Sequence, residues 1–295
     1  MPSRRLIVNG DDFGSSREVN EAVILAHRRG ILTSASLIVS GGAFEHAVSL
    51  AKENPGLAVG LHVTCADGHP VLPPSQIPHV ADKNGNFPSD PALAGLRYFF
   101  CRSARRELFT EIDSQFERFS QSGLRFSHVD SHCHLHVHPV ILDAIVENSE
   151  RYGIKRLRVP ADSFFSALPF LPSPFLSAGN ALVFKALTWR MKRILQTRGF
   201  VFPKRVYGNF LTGKMSLKYV FSLVDTLPHG VSEIYFHPDL PSSALTGDGA
   251  ERPGGAAAAR QRFRELSILI DSDLRSKIDR LGIILSTYFD LGKDL

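Results

Sequence analysis

The chain has 295 residues, 43% of them hydrophobic and 21% charged, which is ordinary for a soluble globular protein and long enough to bury a sizeable core. The formal charge of +5 is modest, and no window supplies the roughly 20 uninterrupted apolar residues of a membrane span. Cys65, Cys101 and Cys133 are odd in number and lack CxxC spacing, so a disulfide framework is not expected and a reducing, cytoplasmic setting is.

Arg5 to Asn9 is a short apolar run breaking at Gly10-Asp11-Asp12, with no leader pattern before it. Val19, Ala22, Val23 and Ala26 recur at helical spacing behind Ser16, a suitable N-cap, and Gly30 ends that helix. Strands are predicted over 34–39 and 57–63, with a helix over 44–54 between them, stopped by Pro55-Gly56. Residues 64–100 are rich in Pro and Gly and predict a long insertion loop, of a kind that is usually functional. Residues 103–122 carry Leu108, Ile112, Phe116 and Phe119 on one helical stripe. A strand over 127–131 runs into a histidine cluster, and Pro139 suits the first turn of a helix reaching Tyr152. Leu157 to Pro160 predicts a short strand. Residues 161–180 show no clean period, and 181–197 predict a helix. A helix over 216–227, a strand over 231–236 ending at His237-Pro238, helical material over 260–281 and a last strand at 283–286 complete the chain.

Strands alternating with helices require crossovers, hence parallel strands with helices on their faces. Asp11, Asp12, His62, His132 and His237 each sit at the C-terminal end of a strand, which gathers them at the edge where such folds bind ligands. One carboxylate and two imidazoles would hold a divalent cation with coordination positions left open. A second carboxylate could take a proton from water, and a histidine on the far rim could protonate a leaving group. Each residue also has a plainer reading. Asp11-Asp12 before Phe13-Gly14 suits a turn and helix start, and a lone His62 suits a hydrogen-bonded core position. The run from Asp130 to His138 is the stronger signal, because alternating histidines on a strand point to one face. His134, His136 and His138 are not all expected to be ligands, at least some lying behind the ligands or at the surface. Cys133 could be a ligand, although alternation turns it away from His132, and His128 is expected to orient a neighbour or fill the core.

Four motifs now combine: Leu6 to Gly14, Val59 to Thr64, His128 to His134, and Glu233 to Pro238. In this order they resemble the YdjC-like carbohydrate deacetylase family. The stretches Ala26 to Leu37, Pro70 to Pro74 and Glu233 to Pro238 resemble its hopanoid biosynthesis-associated subfamily in particular. The resemblance implies an α/β fold, a distorted (β/α) barrel of mostly parallel strands. It implies a single domain over 1–295, with insertions at about 64–100 and 161–205. It also implies removal of an acetyl group from an N-acetylated sugar, an N-acetylglucosamine on a hopanoid lipid in the subfamily case. By motif, Asp12, His62 and His132 would bind one divalent ion, Mg²⁺ or Zn²⁺. Asp11 would be the general base, His237 the general acid or oxyanion stabiliser, and Arg158, Thr64 and Asp130 would lie against the substrate. Gly10 departs from the small residue, such as Ala, of many members, and allows the same close approach.

Arg190, Lys192, Arg193, Arg198, Lys204 and Arg205 stand beside Phe164, Phe165, Phe170, Phe175, Phe184 and Trp189. The segment 161–205 reads either as a helix pair packed on the barrel or as a lid touching anionic headgroups at the inner membrane face. A homodimer is among the expected assemblies, and nucleic acid is not an expected partner. An amidohydrolase-type hydrolase would place its HxH on the first strand, which here carries Asp11-Asp12. A glycosidase needs two carboxyls ~5–9 Å apart across a bond, which adjacent aspartates rarely give. A sugar- or lipid-binding protein with a degenerate site ranks last, because every expected polar residue is present.

Overall fold

The computed structural model describes residues 3–171, 174–241 and 255–293. It opens with β1 (Arg4–Phe13), α1 (Arg17–Arg29), β2 (Ser34–Leu37), α2 (Phe44–Glu53) and β3 (Ala58–Val63). Ser16 caps α1 by accepting a hydrogen bond from the Val19 amide. The segment expected to be a loop over 64–100 ends in α3 (Pro91–Phe100), started by Asp90, whose carboxylate accepts from the amides of Ala92 and Leu93. Then follow α4 (Arg102–Gln121), β4 (Val129–Ser131), a 3-10 segment (His132–Val137) and α5 (Pro139–Arg151). The region expected as an insertion over 161–205 is largely helical, with α6 (Phe164–Ala167) and α7 (Pro174–Thr197). The side chains of Phe164, Phe165 and Phe175 lie outside those described. The chain closes with β5 (Arg205–Tyr207), α8 (Leu217–Thr226), β6 (Gly230–Phe236), α9 (Gly255–Leu269), α10 (Ser272–Arg280) and β7 (Ile284–Ser286). Among the described residues, no helix is long and apolar enough to cross a membrane.

All strand pairs are parallel, in the order β4-β3-β2-β1-β6-β5. β7 lies beside Arg5 to Ile7 of β1, on the edge that β2 takes over from Asn9 onward. Past β4 the curl continues through single bridges, Val129 to Leu157 and Arg156 to Val201. The expected strand at 157–160 is therefore reduced to isolated bridging, since Pro160 has no amide with which to extend a ladder. Residues 201–204 return the chain to β5, where the Lys204 amide donates to the Val231 carbonyl. The result is a curled, distorted α/β barrel.

The strand period of two divides the residues between two environments. Leu6 and Val8 of β1, Ala35 and Leu37 of β2, and Val59, Leu61 and Val63 of β3 point outward into the large core shared with the helices. Ile7 points inward to a small cluster with Tyr288 and Leu291. Asn9, Asp11, Ser36, His62, Asp130 and Glu233 occupy the positions in phase with Ile7 and its paired neighbours, and all are buried. The barrel lumen is thus mainly polar. Gly60 is required there, because a Cβ would come 2.4 Å from the His128 ring, which is stacked 3.7 Å from Tyr288.

Gly60→Ala should therefore lower stability by about 1–3 kcal/mol or more through overpacking. The expected result is a lower thermal midpoint by calorimetry, with any displacement of His128 visible as a changed imidazole NMR signal.

Candidate metal and catalytic centre

Simple alternation would send Asp12 outward to the helices. The register between β1 and β2 shifts between Gly10 and Phe13, and Asp12 takes φ +65°. This bulge turns two successive carboxylates toward the mouth of the barrel. On β4 the strand stops at Ser131, and Cys133 and His134 both adopt left-handed backbone, φ +54° and +53°. The alternation expected through the histidine run is thereby replaced by a tight 3-10 turn. Cys133 is exposed and borders the cavity rather than pointing away from it.

Arg158 organises the interior. Its guanidinium is fully buried, donating to both oxygens of Asp11 at 2.8 Å and to Glu233 at 2.9 and 2.7 Å, and pairing with Asp130 at 2.7 Å. It also lies 4.9 Å from the centre of the Tyr235 ring. Asn9 divides its amide hydrogens between Asp11 and Ser36 at 2.8 Å each. Ser36 donates to Asp130 at 2.8 Å, so the 3.1 Å contact from His128 Nε2 makes that nitrogen a donor and leaves Nδ1 to accept from Ser127 at 2.7 Å. Burial holds the His128 pKa down to about 3, so it is a neutral part of this network.

Asp130 accepts a 2.7 Å hydrogen bond from His62 Nδ1. This bond fixes the tautomer of His62 and presents Nε2 toward Asp12, whose Oδ1 is 3.8 Å away. His132 Nδ1 lies 3.2 Å from the same oxygen. Asp12 Oδ2 accepts from Arg262 of α9 at 2.7 Å, while Oδ1 is buried and, His132 Nδ1 apart, meets no well-aligned hydrogen-bond donor among the described residues. The three potential ligand atoms of Asp12, His62 and His132 lie within 4.8 Å of one another. Asp11, His62 and Asp130 form a second such group, but the carboxylates of Asp11 and Asp130 are already committed to Arg158, Asn9, Ser36 and His62. The Asp12 group is the one whose free lone pair fits a cation.

Charge state follows from these contacts. Burial works to raise the Asp11 carboxyl, yet Arg158 holds it below its usual range. Asp12 is held well below against the same penalty by His132 and Arg262. Burial opposes charge on His62 and His132, and Asp130 and Asp12 respectively raise them in spite of it. His237 is lowered by burial, against the pull of Asp12 and Asp11. Its amide donates to Glu265 of α9 at 2.6 Å. Burial raises Glu265 and Glu233 to about 7 each, and Tyr288 donates to Glu233.

A cavity of about 580 Å³ opens over Asp11, His62, His132, Tyr235, His237 and Arg262. An adjoining groove of about 880 Å³ runs between Pro160–Ser163, α7 and Asn209-Phe210, with Phe184 and Asn209 forming walls of both. Arg158, Thr64 and Asp130, expected against the substrate, lie behind this surface. Arg158 and Asp130 spend their polar atoms on the buried network, and the Thr64 backbone is clamped by the Gln115 amide at 2.9 and 2.8 Å. Among the other histidines, His134 shares a 2.8 Å hydrogen bond with Tyr235, His136 pairs with Ser131 at 2.6 Å, and His138 stands just before α5, its ring beside Phe99. Asp67, Arg262 and Glu265 are neighbours of the cluster that the pattern does not flag. Asp67 Oδ2 approaches His132 Nε2 to 3.9 Å. Only the helical i, i+3 spacing of Arg262 and Glu265 could have placed those two on one face.

Fold and centre together define a parallel-stranded α/β protein with a carboxylate–imidazole cluster at the mouth of its barrel. The chain belongs to the YdjC-like protein family, whose pattern it matches over residues 5–280. It is 35% identical to a carbohydrate deacetylase of Brevibacillus brevis, over 98% of this chain and all of that one. It is 30% identical to a chitooligosaccharide deacetylase of Proteus mirabilis, over 97% and 98% of the two chains. A crystal structure of a putative cellobiose-phosphate cleavage protein from Enterococcus faecalis superposes with a TM-score of 0.76 at 24% identity, covering 97% of this chain and 98% of that one, which shows a shared fold.

Arg158→Met should cost about 3–5 kcal/mol in urea unfolding, because three carboxylates lose their buried counter-ion. Glu233 titrates near 7 in the folded chain against 4.5 for its ordinary value. Folded protein therefore binds the extra proton, and stability falls as pH rises from about 4.5 through 7. Glu233→Gln should remove that part of the decline in a pH series of unfolding curves.

Proposed function

We propose that the protein is a metal-dependent carbohydrate deacetylase that hydrolyses the acetamide of an N-acetylated sugar. The observation that carries this reading is the buried Oδ1 of Asp12, faced by His62 Nε2 and His132 Nδ1 and set beside a clamped Asp11. Asp12, His62 and His132 would hold the ion, and their mixed donor set suits Zn²⁺ and also admits Mg²⁺. When bound, such an ion polarises the acetyl carbonyl and lowers the pKa of water.

Asp11 takes a proton from the attacking water. It remains ionised because Arg158 holds its pKa down against burial, and Arg158 with Asn9 fixes both its oxygens in place. The water oxygen bonds to the acetyl carbon and the C–N bond breaks. His237 protonates the departing nitrogen, giving acetate and a free amine. Its lowered pKa makes the protonated ring a stronger acid than free imidazole. Glu265 holds the His237 backbone at the rim.

For the substrate, the resemblance of Ala26 to Leu37 and Pro70 to Pro74 to the hopanoid-associated subfamily favours an N-acetylglucosamine carried on a hopanoid lipid. The groove of about 880 Å³ beside the centre supports it, with Leu182, Phe184, Trp189 and Phe210 as apolar walls for a lipid tail. A soluble N-acetylated oligosaccharide is the second reading, favoured by the likeness to the Proteus mirabilis enzyme.

Incubation with N-acetylglucosaminyl lipids and with chitooligosaccharides should release acetate and leave a product lighter by one acetyl group in mass spectrometry. Chelator should abolish the release and added Zn²⁺ or Mg²⁺ restore it. Asp11→Asn should lower turnover by about 10²–10⁴-fold while calorimetry still shows metal binding. His132→Ala should lose the metal-binding heat. Undiminished turnover of Asp11→Asn would overturn its assignment as base.

A further inference from the structure

The described part of α7 exposes a mixed face that no element among the described residues covers. Leu182 is 71% exposed, Val183 60% and Trp189 61%. Lys185 and Arg193 are exposed on the same helix, and the Arg193 guanidinium lies 5.0 Å over the Trp189 ring. α3 repeats the pattern, with Leu93, Leu96 and Phe100 exposed at 60%, 58% and 76%. Single exposed apolar side chains are normal on a soluble protein, but two helices each carrying several are not.

Along α3 and α7 themselves every charged side chain is basic, with Asp90 at the cap of α3 and Asp143 near His138 as the acids beside them. No Asp or Glu occurs between Asp162 and Asp225, or between Asp90 and Glu107, while Lys and Arg recur through both stretches. Lys192 and Arg205 border the groove under α7, close enough that burial and the Arg205 charge together lower the Lys192 pKa. Asp162, the nearby acid, is spent on the backbone amides of Ser163, Gly208 and Phe210. The two helices also belong to one region. Both pack against the 3-10 segment that carries His132, and the charges of Arg105, at the start of α4, and Arg190, on α7, are both felt by His138.

We propose that α3 and α7 form an interfacial docking surface for an anionic lipid bilayer, seated beside the mouth of the barrel. Apolar side chains enter the headgroup boundary while Lys and Arg meet anionic headgroups. Interfacial helices bind in this way, lying in the surface without spanning it. Among the described residues, no helix is long and apolar enough to cross a membrane. Charge complementarity selects this occupant over a neutral apolar partner. The docking requires no catalytic step, so it stands or falls separately from the proposed chemistry.

Trp189 is the single tryptophan of the chain and reports on this surface directly. The full-length protein is titrated with phosphatidylcholine vesicles, with and without phosphatidylglycerol, at low and high salt. Co-sedimentation and Trp189 emission are recorded together. The expected result is binding and a blue shift with anionic vesicles, weakened by salt. Arg193→Glu should reduce the partition coefficient by roughly fivefold or more, on the scale of one cation near an anionic surface. Val183→Asp and Phe100→Asp should each reduce it further while circular dichroism stays unchanged. Equal binding to neutral and anionic vesicles, or none to either, would overturn the proposal. So would a blue shift that follows protein concentration without lipid, which would make the face a contact between two copies. If Phe100→Asp binds like the parent, the two-helix surface is overturned.

Discussion

The interior of this protein depends on a buried guanidinium. Arg158 has no solvent exposure and is shared by Asp11, Asp130 and Glu233. A charge taken out of water carries a desolvation penalty of several kcal/mol, which partners offset only when geometry and hydrogen bonding are nearly complete. Here they are: the planar fork meets carboxylates from three strands, and serine, asparagine and histidine side chains take up most of the remaining capacity. Such a network contributes little net stability over an apolar core. Its value lies in position, because every member has few alternative places to be.

That constraint passes outward to the reacting surface by short steps. Arg158 holds Asp130, Asp130 orients the His62 ring, and His62 presents its free nitrogen to Asp12. By a parallel route Arg158 holds Asp11 in both place and charge state. The cavity at the mouth therefore meets groups whose orientation is decided one layer below it, as in metal sites generally. A side chain with no access to solvent can thus govern the site without touching what binds there.

The second device is local departure from regular backbone. The bulge at Asp12 and the left-handed pair Cys133-His134 each occupy conformations that cost on the order of 1–3 kcal/mol for residues with side chains. Both lie where a strand ends at the mouth, and both change which way a side chain points. Continued alternation would have put Asp12 among the helix-facing apolar side chains and spread the histidines along two faces of a strand. α9 completes the rim, with Arg262 holding one Asp12 oxygen and Glu265 holding the His237 amide.

Periodicity and cap chemistry made much of the fold legible in the sequence. α1 with its Ser16 cap, α2, α4, α5, α8 and the strands β1 to β4 and β6 appear in chain order within a few residues of their predicted limits, because each has its own apolar repeat and stop signal. α3 and β5 were hidden. One sits inside a Pro- and Gly-rich stretch, and the other is three residues long and stable only because β6 pairs with it. Position at the C-terminal end of a strand was likewise enough to bring Asp11, Asp12, His62, His132 and His237 to one mouth. What each could do there was a tertiary matter. The sequence places Arg158 in an ordinary-looking LRVP stretch, and only the curl of the sheet surrounds it with carboxylates from β1, β4 and β6. Asp67 lies outside any repeat, and the i, i+3 spacing of Arg262 and Glu265 tells only that they share a helix face, not that the face meets the mouth. Local periodicity is set by neighbours along the chain and can be read from it, whereas the partners of a buried charge are chosen by how the sheet closes.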